Sequence, residues 1–280
     1  AIHKQDILTR KNFHSCDEGN KEFLSRSYFK YFEGREYKDC TTYITITQEN
    51  KKSRLFSYDG KKWKDFLVKV GKVRDQLRDR GINSKFLTAK EAKFFVDQYL
   101  SQDYTSEHVS LNNFKVGEEQ IGVGERKFKI YSLVPTLIRP YTNIEVNNIC
   151  MPVDLLALID NVPEAKSVVF NQVVFLPSQK QEMSKLAKKK NRHSSLPNPS
   201  NQIAVDDITR VEELVARESK QLVHCHFNLV VTVDKDADIQ KCTNYLENAF
   251  GRIGIQISQR AYNQLELFVG SFPLAMRQDA

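Results

Sequence analysis

Apolar residues in the first hundred positions recur at intervals of three and four, which predicts three amphipathic helices. The first covers Phe23–Phe32. The second lies between Trp63 and Arg80 and stops at Gly81, where a left-handed cap is wanted. The third is predicted over Ala89–Leu100, because Thr88 followed three residues later by glutamate has the spacing of a capping box.

Other segments have the period of strands. Cys40–Thr47 alternates Tyr or Ile with Thr, which predicts a half-buried strand. Ile121–Gly124 and Phe128–Tyr131 predict two short strands around a glycine turn. The apolar runs Ser167–Leu176 and Leu222–Val233 have the length and composition of buried strands.

The last part of the chain predicts a split β-α-β unit. Asp234 is placed to cap a helix over Ala237–Phe250, and Ile253–Ile257 and Leu265–Val269 are predicted as closing strands. The predicted fold class is therefore α+β, with mixed or antiparallel sheets, packed helices and ferredoxin-like units. The predicted domains are an α+β subdomain over residues 1–150 and a second one over residues 151–280.

A lysine-rich segment separates the two long buried strands. The helix predicted from Gln179 runs through it, and two prolines among small polar residues then predict a mobile loop over His193–Asn201. A further helix is predicted from about Asp206 to Ser219.

Composition is that of an ordinary globular protein, with 40% hydrophobic and 28% charged residues among 280. No apolar run reaches the roughly 18 residues that a membrane-spanning helix needs. Five scattered cysteines, without zinc-site spacing, favour a reducing cytoplasm. The net charge of +7 permits an anionic partner but does not establish one. Because the chain starts at Ala1 without Met, we expect it to be a piece of a longer polypeptide.

The sequence contains no motif for nucleotide hydrolysis. A phosphate-binding loop needs GxxxxGK[ST], and the Gly-Lys pairs at Gly60 and Gly71 lack both the upstream glycine and the following Ser or Thr. Three further glycines are better explained as hairpin punctuation than as a phosphate cradle: Gly117, Gly122 and Gly124. We therefore predict no catalytic residue and no cofactor-binding residue.

His224-Cys225-His226 combines residue types that bind metals. On a strand the two histidines share one face while Cys225 points to the other, which argues against a compact metal site. We predict a structural role instead, with Cys225 in the core and the histidines half-exposed, and no metal.

The lysine cluster leaves two alternatives open. Its cations could neutralise nucleic-acid phosphates, or they could form a solvated helix end whose charges complement the helix dipole. Stacking aromatics are absent from the cluster. The candidate anion contacts are Lys185, Lys188, Lys189, Lys190 and Arg192.

Several stretches, taken in order, resemble the amino-terminal region of TraG-type conjugation ATPases of Bacteroides-like conjugative transposons, related to the VirB/TrbE motor group. The similarity spans nearly the whole chain. The stretches are His3–Asp6, Phe23–Tyr28, Cys40–Thr47, Asn171–Phe175, Val223–Asn228 and Leu267–Pro273.

This resemblance implies a cytoplasmic motor at the inner membrane as part of a type IV secretion system. Its RecA-like domain, with ATP and Mg, would lie beyond this chain, and the whole protein would form a homo-oligomer. The leading hypothesis is a non-catalytic module that docks the motor onto other conjugation subunits. The alternative is a nucleic-acid-binding module that guides transferred DNA.

Overall fold

The computed structural model describes residues 1–13, 23–48, 60–135, 143–146, 149–152, 155–196, 198–259 and 262–272. The chain forms two compact units: residues 1–2 with 173–226, and residues 3–172 with 227–280. The predicted division at residue 150 stays a prediction. The strands in chain order are β1 (Ile2–Asn12), β2 (Glu36–Ile46), β3 (Phe114–Val116), β4 (Ile121–Val123), β5 (Arg126–Pro135), β6 (Asn143–Val146), β7 (Ile149–Pro152), β8 (Ala165–Phe175), β9 (His224–Asp234) and β10 (Ile255–Gln259).

The helices of the described residues are α1 (Phe23–Phe32), α2 (Gly60–Asp79), α3 (Ala89–Ser101), α4 (Leu155–Ile159), α5 (Gln179–Ser194), α6 (Pro199–Glu218), α7 (Ile239–Gly251) and α8 (Gln264–Gly270). Eight strands form one open, mostly antiparallel sheet in the order β2-β1-β8-β9-β5-β4-β3, with β10 also paired to β5. Strands β6 and β7 pair separately. The predicted α+β class is confirmed.

Alternate residues of the central strands face two different helical layers. Leu229, Val231 and Val233 of β9 pack with the side chains of α4 and α7, whereas Val230 packs with those of α3 and α8. A strand buried on both faces needs a continuous apolar run, because successive side chains point in opposite directions. The run that predicted β9 from sequence therefore also predicted its position inside the sheet.

Local signals placed several elements correctly. Helix α1 has the predicted bounds, and α3 has the predicted capping box, with both reciprocal bonds between Thr88 and Glu91. The predicted hairpin is formed by β4 and β5, whose turn contains Gly124 with φ of 57°. At that φ only glycine is free of strain.

Strands β9 and β10 lie on opposite sides of β5 and both run antiparallel to it. They therefore run parallel to each other, are joined by α7, and have β5 between them. The helix cap is Asp238 rather than the predicted Asp234.

The predicted closing strand over Leu265–Val269 is wrong, because this segment belongs to helix α8. Its buried residues Gln264, Leu267 and Phe268 have helical spacing. Gln264 bonds both backbone groups of Ile130, accepting from its N–H at 2.7 Å and donating to its C=O at 3.0 Å. Ile130 lies where β4 has ended and β10 has not begun, so a side chain replaces the missing strand partner.

The predicted mobile loop over His193–Asn201 is also wrong. Helix α5 continues to Ser194, and α6 begins at Pro199 instead of near Asp206. The Asn198 side chain accepts a hydrogen bond from the Asn201 N–H, and Pro199 occupies the first helical turn, where its missing N–H costs nothing. Asn198 and Pro199 thus form the start of helix α6.

A chain of buried hydrogen bonds crosses three neighbouring strands. Asn171 of β8 accepts from Gln5 Nε2 of β1 and donates to Asn228 Oδ1 of β9, both at 2.7 Å. Asn228 then donates to Ser271 Oγ after α8, also at 2.7 Å. His3 Nε2 lies 3.3 Å from Asn171 Oδ1. All five side chains are buried.

Asp6 anchors a second polar cluster on the other side of β1. Its buried carboxylate accepts hydrogen bonds from Lys4 and Thr42, both at 2.6 Å, and from Gln172 at 3.1 Å. Strands β2, β1 and β8 are thereby tied together. Residues from five of the six stretches that carry the family resemblance meet in these two clusters, all except Phe23–Tyr28.

Replacing Asn171 with Ala is expected to lower the free energy of unfolding by about 2 to 4 kcal/mol, because Asn228 Oδ1 and His3 lose their buried partner. Urea unfolding measures the change. The control Asn244→Ala, at an exposed position of α7, is expected to stay within about 0.5 kcal/mol of the parent. Equal losses in the two variants would contradict the network's importance.

Stability is expected to fall as the pH drops below 6.5. Burial lowers the pKa of His3 from its ordinary value of 6.5, although the bond to Asn171 acts the other way. The folded chain therefore binds its proton at a lower pH than the unfolded chain, and the stability present above pH 6.5 decreases by up to about 1.4 kcal/mol per pH unit below it. Unfolding midpoints measured between pH 7.5 and 5.5 should depend less on pH in His3→Gln than in the parent. In the exposed control His108→Gln, the pH dependence of the midpoint should equal that of the parent.

Candidate functional site

The predicted lysine cluster lies on α5, which forms a helical pair with α6 inside the smaller unit. Two of its five cations are held by carboxylates. Lys190 pairs with Glu212 of α6 at 2.7 Å, and Lys185 pairs with Glu182 one turn earlier at 2.7 Å. Lys190 therefore joins the two helices, and Lys185 is part of the local charge pattern of α5.

Lys188, Lys189 and Arg192 are exposed and have no ion pair within the described part of the chain. The structure thus divides the five candidates into two that pair with carboxylates and three that do not pair within the described residues. Arg192 lies in the last turn of α5, where a positive charge also complements the helix dipole.

The His224-Cys225-His226 segment begins strand β9. Cys225 is exposed, so its predicted position in the core is wrong; the buried run of β9 begins only at Asn228. His224 Nε2 lies 3.2 Å from the Glu182 carboxylate. Desolvation raises the pKa of the Cys225 thiol, which disfavours the reactive thiolate. No group of three potential metal ligands is found among the described residues.

The two Gly-Lys pairs that lack the rest of a phosphate-binding motif lie in helix α2. Gly60 is its first residue, and Gly71 is in its interior, where the backbone N–H belongs to the helix ladder. A phosphate cradle needs free N–H groups that converge on one point. The Gly71 pair provides none, and the Gly60 pair opens the helix without the upstream glycine and following Ser or Thr of a phosphate-binding loop.

The most unusual surface of the larger unit is the face of α2. This helix of 20 residues has no buried side chain. Trp63 and Leu67, one turn apart, are 48% and 49% exposed. Phe66, Val70, Val73 and Leu77 continue the same stripe and are only half-buried.

The elements before α2 in the chain are also incompletely covered. Tyr28 and Tyr31 of α1 are exposed, as are Tyr37 and Ile44 of β2. Strand β2 is an edge of the sheet, so one row of its backbone groups is available for pairing. We call α1, β2 and α2 together the amino-terminal face; the name groups them by chain position and by their exposed apolar side chains.

Sequence reasoning predicted the stripe of α2 but not its exposure. A helical stripe normally faces the protein's own core. The composition carried a signal, because half of the 20 residues of α2 are charged, seven basic and three acidic. The stripe is consequently narrow, and Arg74 interrupts it, placing its guanidinium 5.2 Å from the ring centre of Phe86.

No model of a known protein family matches the sequence, and no curated protein matches it. Within the described residues, no helix combines the length and the apolar character needed to cross a membrane.

Proposed function

We propose that this chain is the non-catalytic docking part of a conjugative-transfer motor ATPase. In this proposal it holds the motor against other subunits of the type IV secretion apparatus at the inner membrane. The observation that carries the proposal is the incompletely covered apolar stripe of α2, in which Trp63 and Leu67 are exposed. The family resemblance of the sequence supports the biological setting.

Packing of its apolar face stabilises helix α2 only in part. Isolated helices are marginal in water, and most helices in proteins are stabilised by packing of their apolar face. The face of α2 places Trp63 and Leu67 in solvent. Aromatic side chains such as Trp63 are typical anchors of protein interfaces.

The charge of α2 indicates the chemistry of its partner. Seven basic and three acidic residues give the helix a net charge of +4. A groove on the partner protein with an apolar floor and an acidic rim would complement this charge, and α2 would bind in that groove. The interspersed Asp65, Asp75 and Asp79 favour a protein partner over a lipid surface, where a purely basic polar face is typical.

The rest of the proposal follows the resemblance. A RecA-like domain beyond this chain would hydrolyse ATP with Mg, and the whole protein would assemble as a homo-oligomer on the cytoplasmic side of the inner membrane. The split β-α-β unit of β9, α7 and β10 supports the finer expectation of ferredoxin-like units. The chain itself would need no cofactor or metal, and ATP hydrolysis by the purified chain would contradict the division of labour.

The double variant Trp63→Ser/Leu67→Ser tests the docking face. Co-expressed with the inner-membrane subunits of the same transfer system, it is expected to lose about tenfold or more in co-purification, because interface anchors carry most of the binding energy. Its unfolding midpoint should change little, since neither side chain is buried.

Val68→Ser is the matched control, because Val68 is 58% exposed on the opposite side of α2. It should co-purify like the parent. Equal binding by the parent and both variants would refute the docking face. If the parent does not co-purify with the subunits but floats with anionic vesicles, the stripe binds lipid instead.

Nucleic-acid binding is the second candidate, and the observation favouring it is the exposed set Lys188, Lys189 and Arg192. These cations extend from a helical pair and are not occupied by carboxylates of the described residues. Each phosphate they neutralise would release counterions.

Replacing these three residues by Gln is expected to weaken binding of a single-stranded DNA oligomer and to reduce the slope of log affinity against log salt by about 2, at roughly 0.7 per phosphate. Fluorescence anisotropy at several salt concentrations measures both. The control replaces the exposed residues Lys90, Lys93 and Lys115, which removes the same charge. Equal slopes for the two triple variants, or no binding by the parent, would remove this candidate.

A further inference from the structure

A cavity of about 500 Å³ lies at one end of the sheet, entirely within the larger unit. Its walls come from the ends of β1, β2, β5, β8 and β9 and from the segment after α3. Its volume falls within the range of roughly 300 to 1,000 Å³ that is usual for small-molecule sites. Unlike most such sites it is lined chiefly by charged and polar side chains.

Two arginines of the cavity wall are held in position by oxygen atoms. Arg10 Nη2 donates to the Val162 carbonyl at 2.7 Å. Arg126 Nη1 donates to the Gln102 carbonyl at 2.8 Å and lies 2.9 Å from Asp103 Oδ1. A guanidinium has five N–H donors in a rigid fork, so these contacts orient each arginine and leave other donors for a ligand.

The carboxylate behind Arg126 is charged. Burial alone would raise the pKa of Asp103, but hydrogen bonds from Ser106, Arg126 and Thr105 outweigh it and hold the pKa well below its ordinary value. Asp103 does not line the cavity. It therefore supports Arg126 from outside the cavity and does not occupy the position of a ligand.

Each cation of the cavity wall lies beside one carboxylate. Arg10 Nε is 3.7 Å from Glu36 Oε1 in the wall itself, and Arg126 pairs with Asp103 outside it. Lys11 pairs with Asp39, which lies outside the wall, at 2.5 Å. Lys166 pairs with Asp234 at 3.1 Å, and the side chains of Lys166 and Asp234 are each about half exposed. The cations are Arg10, Lys11, Arg126 and Lys166, and the carboxylates are Glu36 and Asp234.

A buried hydroxyl in the wall lacks a partner. Ser167 is 4% exposed, and its Oγ is one of four buried side-chain atoms in the described residues with no hydrogen bond. A buried polar group without a partner is rare and costs about 1 to 3 kcal/mol. Ser167 lines the cavity next to Lys166, and its Oγ is closed to solvent in the free chain, so a ligand would meet this hydroxyl after a rotation of the side chain.

We propose that this cavity binds a small phosphate ester that also carries hydroxyl or amino groups. The arginine forks suit phosphate oxygens, since guanidinium and phosphate pair through parallel hydrogen bonds. Glu36 and Asp234 would accept hydrogen bonds from hydroxyl or amino groups of the same ligand. Tyr37 lines the cavity and is 44% exposed, which offers a flat apolar surface to a ring.

Titration calorimetry of the purified chain against inorganic phosphate, ribose 5-phosphate and AMP tests the site, with ribose and adenosine as neutral counterparts. At least one ester is expected to bind about tenfold or more tightly than inorganic phosphate and than its neutral counterpart. Tighter binding of AMP than of ribose 5-phosphate would show that the adenine ring contributes to binding. Lys166→Gln should weaken that binding about tenfold or more.

Ser167→Ala distinguishes a ligand contact from a structural role. It should weaken binding of the ester about fivefold, the equivalent of one neutral hydrogen bond, without lowering the unfolding midpoint of the free chain. Ser132→Ala is the matched control, because Ser132 Oγ is also buried and unpaired but lies outside the cavity wall. Its affinity should equal that of the parent.

Three results would overturn the proposal. Undetectable binding of both esters at millimolar concentration would remove the site, and inorganic phosphate binding as tightly as the esters would remove the ligand class. A single-stranded DNA oligomer that binds more tightly than AMP and depends equally on Lys166 would assign the cavity to a nucleic-acid backbone.

Discussion

The buried amide chain around Asn171 is the constraint on which the rest of the sheet depends. Gln5, Asn171 and Asn228 lie on three adjacent strands and on the sheet face covered by α3 and α8, as the alternation with Ile7, Val169 and Val230 shows. A slip of one residue in any strand would turn its amide toward the opposite face and leave its partners unsatisfied. Apolar packing alone tolerates such slips far better, because most aliphatic side chains can replace one another.

The same network ties distant parts of the chain to one place. Gln5 and Ser271 are nearly the whole described chain apart, yet Gln5 Nε2 also donates to the Ser271 carbonyl at 3.2 Å. The end of helix α8 is thereby tied to β1, the first strand of the chain. The residues of the family resemblance that lie in this network are explained by hydrogen-bond geometry before any function is assigned to them.

The amino-terminal face, unlike the centre of the sheet, leaves apolar side chains exposed. Helix α2 has an amphipathic pattern but no buried residue, and β2 is an edge strand with mostly exposed side chains. Their exposed apolar side chains are available to a partner. In the polar cavity, by contrast, oxygen atoms of the same unit orient two arginines, and the buried Ser167 hydroxyl has no partner. Docking would use α2, whereas ligand binding would use the cavity, which shares Tyr37 of β2 with the amino-terminal face.

Features that depend on neighbours within a few residues could be predicted from the sequence. They are the stripe of α1, the capping box of α3, the hairpin turn at Gly124 and the buried runs of β8 and β9, because caps, turns and periodicity act locally. Features that depend on which distant elements pack together became visible only in the folded chain. The run Leu265–Val269 suits either a short strand or a helix, and the space beside Ile130 selected the helix. The exposure of Cys225 and of the α2 stripe depended on which faces were covered, and the cavity arose because strand order brings Arg10, Arg126 and Ser167 together. No local pattern records that order, since the contacts that create it join residues far apart in the chain, such as Gln5 with Asn171 and Asn171 with Asn228.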